Sequence, residues 1–286
     1  MLLRTYQGSG ELTLPSAEVE GAGSIVKVGS GAIALPTVGV IGTGSAMGDG
    51  DLDITGLQGW YRFDETSSTS VAVDAHTTNR TLSVNGNPFV DTGKVGGSRR
   101  LGGITTGDLN NFFRDEPAFV FTNQSHYVSF WLSFSSLSSN RNLLGVYNLS
   151  SAQREKRRWG VRLLDDDTLQ YLIKPNSGDV NDLYGAVVAP TLNEWNFIEC
   201  FYDQPNQTIG IALNKGSFVT TSTPLGMSTT ASSGEQARFY VFRFNTLNSN
   251  GFRNGNIDEL TIWSTLPDDD RRDYLWNDGA GNTYPT

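Results

Sequence analysis

The segment that most constrains the fold is residues 125–134, in which side chains of two kinds alternate along the chain. A period of two places successive side chains on opposite faces of an extended strand. One face would carry four core-forming residues, Val128, Phe130, Leu132 and Phe134. The other face would carry Tyr127, Ser129, Trp131 and Ser133. The pattern therefore predicts a β-strand with one face in a hydrophobic core.

Similar strand-sized segments follow one another, separated by polar turns rich in Gly, Ser, Thr and Asn. Residues 159–164 and 169–173 flank the acidic turn 165–167, which predicts a β-hairpin. Further strands are predicted at residues 59–65, 195–202, 208–213, 238–244 and 257–263. With 32 glycines in 286 residues, this succession is typical of an all-β domain.

A single helix is predicted after Pro267. Three consecutive aspartates at residues 268–270 suit the positive end of a helix dipole. The helix would end near Asn277, with Gly279 as its C-cap. A short helix therefore closes the all-β domain.

Composition excludes several classes of function. The net charge of −9 and a pI near 4.7 oppose nucleic-acid binding, which needs a positive field to neutralise phosphates. No apolar stretch reaches the length of a membrane span. The two histidines, His76 and His126, are too few for a histidine metal cluster or relay, and the one cysteine, Cys200, lies in an apolar run that predicts a core thiol. We expect no nucleic-acid partner and no membrane partner.

The first eight residues contain neither an apolar core nor a cleavage site of the kind found in secretory signals. A chain without such a signal would be made in the cytoplasm of its host. For an all-β domain that has neither an export signal nor a pair of cysteines to form a disulfide, we expect synthesis in a bacterial cytoplasm and release by lysis.

Residues 1–49 contain an internal repeat, since Gly-Ser-Gly-x-x-x-Leu-Pro at residues 8–15 recurs at residues 29–36. Each copy predicts a short strand ending at proline, with Leu12 and Leu14 on one face of the first and Ile33 and Leu35 on one face of the second. Two such units are too small to bury a core alone. They form either a flexible linker or an arm that pairs with other chains, and the regular apolar positions favour the arm. The predicted domains are thus a Gly-rich arm, 1–49, and a main domain, 50–286.

Several short motifs follow one another along the main domain. They are Tyr-Arg-Phe-Asp-Glu at 61–65 with Val-Asp at 73–74, Ser-Phe-Trp-Leu at 129–132, Glu-Trp at 194–195 with Tyr-Asp at 202–203, Ile-Asp-Glu-Leu-Thr-Ile-Trp at 257–263, and Asn-Asp-Gly-Ala-Gly at 277–281. Together they resemble the laminin-G-like branch of the concanavalin-A-like lectin superfamily. Its Asn-Gly hairpin is matched imperfectly, because Lys215 separates Asn214 from Gly216.

The resemblance implies a two-sheet jelly-roll sandwich that binds glycans, proteins or, in some members, calcium. The Gly-rich repeat ahead of this domain is similar to arms of tailed-phage virion proteins. Together they imply a non-catalytic structural protein of a phage particle, located in the virion as a decoration, fibre or tail component, with capsid or tail subunits as partners. A homo-oligomer, with a trimer favoured, and surface polysaccharide are the other expected partners. The alternative is a carbohydrate-binding or adhesion module of a bacterial surface protein.

The superfamily also includes glucanases, whose active strand carries two glutamates flanking an aspartate. Retaining hydrolysis requires two carboxylates about 5 Å apart. When the motif is aligned on Asp258, Asn256 and Thr261 occupy the positions of the two glutamates. We therefore expect no glycosidase activity.

Asp258 would share a strand face with Leu260 and Ile262, and so would lie at the rim of the core. A half-buried carboxylate needs compensation. It could bind calcium together with Asp74, or it could accept hydrogen bonds from a turn and fix the last strand. Calcium requires six to eight oxygens, of which the sequence supplies two candidates. No cofactor other than calcium is expected.

Two surface interpretations remain. Tyr127 and Trp131 are candidates for stacking on sugar rings if their face is open, or for packing if a loop covers it. Residues 154–158 (Arg-Glu-Lys-Arg-Arg) form the one basic run, which is either a solvated loop or a contact for an anionic partner.

Overall fold

The computed structural model describes residues 52–76, 80–86, 88–101, 111–114, 119, 121, 123–135, 141–148, 157–175, 184–227, 237–242 and 255–285. The four arm residues Leu12, Leu14, Ile33 and Leu35 lie outside the described residues. So does the predicted boundary at residues 49 and 50. The assembly arm therefore remains a prediction from the sequence.

Short strands joined by turns make up most of the described chain. In chain order they are β1 (Leu57–Tyr61), β2 (Ser83–Asn85), β3 (Phe89–Thr92), β4 (Gly97–Leu101), β5 (Asn111–Arg114), β6 (His126–Phe134), β7 (Arg141–Asn148), β8 (Arg157–Leu163), β9 (Leu169–Ile173), β10 (Tyr184–Val188), β11 (Asn196–Asp203), β12 (Thr208–Leu213), β13 (Val219–Ser222), β14 (Ala237–Val241) and β15 (Gly255–Trp263). One helix, α1 (Asp269–Trp276), follows β15. The predicted hairpin is β8–β9.

Within the described residues, the strands form two antiparallel sheets. The eight-stranded sheet has the order β13-β12-β11-β6-β15-β4-β3, and β1 also pairs with β15. The seven-stranded sheet has the order β10-β9-β8-β7-β14-β5-β2. This arrangement confirms the predicted two-sheet β-sandwich with one short C-terminal helix.

The main core lies between the two sheets. The four residues predicted for the core face of β6 are all at most 2% exposed: Val128, Phe130, Leu132 and Phe134. Cys200 is fully buried in the same core, as predicted, and burial raises the pKa of its thiol well above the usual value. Alternation along β6 therefore located the core correctly.

A second buried cluster covers the other face of the eight-stranded sheet. Its fully packed members, which we call the outer aromatic cluster, are Leu52, Leu57, Trp60, Tyr127, Trp131, Phe197, Trp263 and Leu275. Helix α1 and residues 280–285, which we call the C-terminal segment, pack onto this face. Both faces of β6 are consequently inside the protein.

Local hydrogen bonding sets the bounds of α1. The side chain of Asp268 accepts a hydrogen bond from the backbone N–H of Arg271 at 2.7 Å, which is an N-cap. Asn277 has the left-handed conformation, with φ of 45°, and is the C-cap. The predicted start of the helix is confirmed. Its predicted cap, Gly279, instead ends the short 3-10 turn Asn277–Gly279.

Candidate functional site

Trp131 lies in the interior. Its ring stacks on Trp276 of α1, with centroids 5.3 Å apart and planes inclined by 15°. The Lys94 ammonium lies 4.9 Å from the centroid of the Trp131 ring. A side chain on Gly281 would collide with Val95 and Trp131, so the C-terminal segment closes tightly over this ring. The exposed fraction of Trp131 is 1%.

Tyr127 is also fully buried. Its hydroxyl donates a hydrogen bond to Oε1 of Glu199 at 3.0 Å. A sugar ring can stack only on an open aromatic face, and neither Tyr127 nor Trp131 offers one in this structure. Both side chains are instead packed beneath a covering segment, which is the second of the two interpretations made from the sequence.

Glu199 connects the sheet to α1. Arg272 donates two hydrogen bonds to it, from Nε to Oε1 at 2.7 Å and from Nη2 to Oε2 at 2.9 Å. The Glu199 side chain is fully buried, and that of Arg272 is 13% exposed. The two hydrogen bonds from one guanidinium compensate the negative charge of the buried Glu199 carboxylate. Sequence reasoning missed the pair, although a glutamate in the apolar run 197–202 signals a buried partner.

The backbone of β15 departs from regular alternation at Asp258. Asp258 pairs with Trp131 of β6 and Thr261 pairs with Ser129, so two residues of β15 oppose the single residue Phe130. Glu259 has a positive φ of 44°, and the arrangement is a β-bulge.

The bulge corrects the predicted position of Asp258. Ile257 and Leu260 both face the main core, and Asp258 faces the outer side with its partner Trp131. The expectation that Asp258 shares a face with Leu260 and Ile262 was wrong, because it assumed uninterrupted alternation through Glu259.

Asp258 binds backbone amides. Its Oδ2 accepts a hydrogen bond from Val95 N–H at 2.8 Å, and its Oδ1 accepts one from Glu259 N–H at 2.8 Å. Val95 lies in the turn between β3 and β4, so the carboxylate fixes this turn to the last strand. Burial raises the pKa of Asp258 to about 8, against the opposing effect of these N–H groups.

Glu259 lies beside it and is 3% exposed. Its Oε2 accepts a hydrogen bond from Nε1 of Trp60, and Nε of Arg62 lies 3.6 Å from its Oε1. Burial, followed by the neighbouring charge of Asp258, raises the pKa of Glu259 to about 8. Burial therefore shifts both of these adjacent carboxyl groups toward their protonated forms.

Asp74, the other predicted calcium ligand, caps a turn. Its Oδ1 accepts hydrogen bonds from the backbone N–H groups of Trp60 and His76, both at 2.9 Å. Its Oδ2 accepts one from Arg80 N–H at 3.1 Å. Such bonds satisfy a buried carboxylate without a cation.

No group of three or more His, Cys, Asp or Glu side chains in the described part of the chain could hold a metal ion. Asp74 and Asp258 instead accept hydrogen bonds from separate backbone segments. Calcium binding by these two residues thus stays a prediction.

The basic run was interpreted as either a solvated loop or a contact for an anionic partner, and its last two residues, Arg157 and Arg158, lie in strand β8. Arg158 is 2% exposed and therefore does not belong to an open basic surface. The side chains of residues 154–157 lie outside the described residues.

The fold is similar to that of receptor-binding domains. The binding domain of botulinum neurotoxin DC in complex with rat synaptotagmin II gives a TM-score of 0.56 at 15% identity, covering 78% of this chain and 52% of that one. The same domain in complex with SialylT gives 0.54 at 15% identity, over 76% and 52%. The binding domain of Paraclostridial Mosquitocidal Protein 1 gives 0.56 at 15% identity, over 79% and 52%.

This chain spans about half the length of those domains. At such low identity the likeness establishes the fold alone, a two-sheet β-sandwich. No protein-family model and no curated protein matches the sequence. Among the described helices, none combines the length and apolarity required to span a membrane.

Proposed function

We propose that this chain is a non-catalytic binding protein carried by a phage particle, and that its concanavalin-A-like, laminin-G-like sandwich attaches the particle to a glycan on the host surface. The observation that carries the proposal is the fold: a sandwich similar, over 78% of this chain, to a domain whose neurotoxin uses it for binding. The likeness supports a binding role and leaves its ligand open.

The positions of the carboxyl groups support a non-catalytic role. A glycosidase needs an acid and a nucleophile that touch the substrate. Asp258 is fully buried and Glu259 is 3% exposed, and both side chains contact other parts of the domain. These two groups therefore stabilise the structure instead of acting on a sugar.

The repeat at residues 8–36 supports the phage assignment. Its glycine-rich, proline-terminated segments place leucine and isoleucine at regular positions, a pattern that suits pairing with other subunits. The arm would anchor the chain, as a homotrimer, to capsid or tail subunits and leave the sandwich facing outward. Symmetric association is the usual way in which identical chains cover such surfaces.

Co-sedimentation with insoluble bacterial cell-wall polysaccharides, combined with an assay for reducing ends, tests this function. We expect the full chain to sediment with at least one polysaccharide and to release no reducing ends from it. Turnover that persists after repurification and disappears in Asp258→Asn would establish an enzyme. Antibodies against the chain should label particles of a phage that encodes it. If they label none, the adhesion-module alternative is favoured.

A further inference from the structure

Phe89 is the most exposed aromatic residue among the side chains that the structure describes, with 44% of its surface accessible. It begins β3, the edge strand of the eight-stranded sheet. An exposed aromatic ring on a rigid strand has no role in the core, and the surroundings of Phe89 indicate a use for it.

Strand register shows which residues share its face. Ile257 of β15 points into the main core, so the preceding residue Asn256 points to the outer side. Asn256 pairs with Arg100 of β4, and Arg100 pairs with Phe89 of β3. Two positions farther along β3, Asp91 lies on the same face as Phe89. These four residues, with Ser98 beneath them, form a surface that we call the Phe89 platform.

The polar groups of the platform hold one another in place. Asp91 Oδ2 lies 3.3 Å from Nε of Arg100 and accepts a hydrogen bond from Nδ2 of Asn256, also at 3.3 Å. The same Nδ2 lies 3.3 Å from Oγ of Ser98, which itself donates to the backbone oxygen of Thr92. The Arg100 guanidinium lies 5.8 Å from the centroid of the Phe89 ring.

The side chains are ordered by these contacts yet remain accessible. Side-chain exposure is 46% for Arg100 and 35% for Asp91. Adjacent strands and alternate residues give the platform dimensions of roughly 10 Å by 7 Å. It is therefore a nearly flat patch with one aromatic ring beside a carboxylate, a guanidinium and an amide.

We infer that the Phe89 platform binds one neutral hexopyranose residue of a surface polysaccharide. The apolar C–H face of the sugar would lie on the Phe89 ring, and its hydroxyls would donate to Asp91 and accept from Arg100. The inference rests on the proposed function and names its site.

The charges on the platform and on the whole chain favour a neutral sugar over an anionic one. Arg100 is already paired with Asp91, so the platform carries no free positive charge, and the chain as a whole has a net charge of −9. An anionic sugar would be repelled by that field. The exposed Asp91 and Arg100 also suit hydroxyl groups better than an apolar peptide side chain, which would cover these two charged groups without hydrogen bonding to them.

The test is saturation-transfer NMR on the full chain, with the methyl glycosides of glucose, mannose, galactose and N-acetylglucosamine as probes. Phe89→Ala removes the ring, and Phe89→Tyr keeps it. Val90→Ala is the matched control, because Val90 is 41% exposed on the same strand and points to the opposite face.

We expect at least one glycoside to bind the native chain, Phe89→Tyr and Val90→Ala with similar affinity, and binding to Phe89→Ala to weaken about tenfold. Two results overturn the inference: equal binding by Phe89→Ala and the native chain, or no binding of any glycoside at millimolar concentration. If native chain and Phe89→Ala sediment equally with polysaccharide, the platform is wrong and the proposed function stands. If the native chain sediments with none, the proposed function itself fails.

Discussion

Glu199 and Arg272 form a salt bridge with two hydrogen bonds, 2.7 Å and 2.9 Å long, that connects strand β11 to helix α1. Because Glu199 is fully buried, the pair holds the helix over the outer aromatic cluster. Removing one partner of such a pair leaves a buried charge without compensation.

Arg272→Ala should therefore lower the free energy of unfolding by about 3 kcal/mol. Lys215→Ala is the matched control, because Lys215 forms an exposed ion pair with Asp273 of α1. The two side chains are 29% and 58% exposed, so the loss of this pair should lower the free energy of unfolding by less than about 1 kcal/mol. Urea unfolding followed by tryptophan fluorescence measures both. Equal losses in the two variants would show that Arg272 does not anchor the helix.

A second prediction concerns alkaline pH. The pKa values of Asp258 and Glu259 are raised to about 8 in the folded protein from ordinary values of 3.8 and 4.5. The folded state therefore binds protons more tightly than the unfolded state. Their contribution to stability is complete below about pH 4 and is lost as pH rises through about 8.

Glu259→Gln removes one of these titrations and the repulsion on Asp258. Its urea midpoint should change less between about pH 6 and pH 9 than that of the native chain. Asp166→Asn is the control, because Asp166 is exposed and hydrogen bonds from Thr168 lower its pKa, so it stays ionised throughout this range. Identical pH profiles for Glu259→Gln and the native chain would contradict the assignment.

A third prediction concerns acid. Burial lowers the pKa of His126 to about 4 from 6.5, so the folded protein keeps its ring neutral, stacked 4.6 Å from Phe121 and hydrogen-bonded to Tyr171. Its contribution is present above about pH 6.5 and is lost as pH falls through about 4. His126→Gln should therefore be less stable than the native chain at neutral pH, by a difference that shrinks as pH falls from about 6.5 to 4. A difference that is constant across this range would mean that His126 does not titrate on unfolding.

Strand patterns in the sequence predicted most of the strands that build the main core, but not β7, which supplies Leu143, Leu144 and Val146. Val128, Phe130, Leu132 and Phe134 could be assigned because a period of two fixes which side chains share a face. It could not reveal what covers the second face. Tyr127 and Trp131 were candidates for an open surface because nothing local shows that α1, far along the chain, packs onto them.

The bulge at Glu259 was missed because regular alternation was assumed along the whole of β15. With the extra residue, Ile257 and Leu260 both face the main core although they are three residues apart, and Asp258 faces the other side. Phe89 was overlooked because β3 is a four-residue edge strand with mostly exposed residues, which gives little periodic signal.

The fourth prediction concerns the arm. Leaving Leu12, Leu14, Ile33 and Leu35 in water forgoes roughly 1.5–3 kcal/mol for each side chain, a loss that association would recover. We expect multi-angle light scattering to report a trimer for the full chain and a folded monomer for residues 50–286. Two monomers, together with rapid proteolysis of residues 1–49 beside native partners, would make the arm a linker.

Binding of the fluorescently labelled full chain to intact host bacteria tests the central claim most directly. We expect saturable binding that soluble surface polysaccharide from the same cells displaces, with the polysaccharide recovered uncleaved. The same cells stripped of that polysaccharide should bind no more than a labelled control protein. Two results would contradict the assignment of this sandwich as a glycan-attachment module: binding that soluble polysaccharide does not reduce, or no binding to any host cell tested.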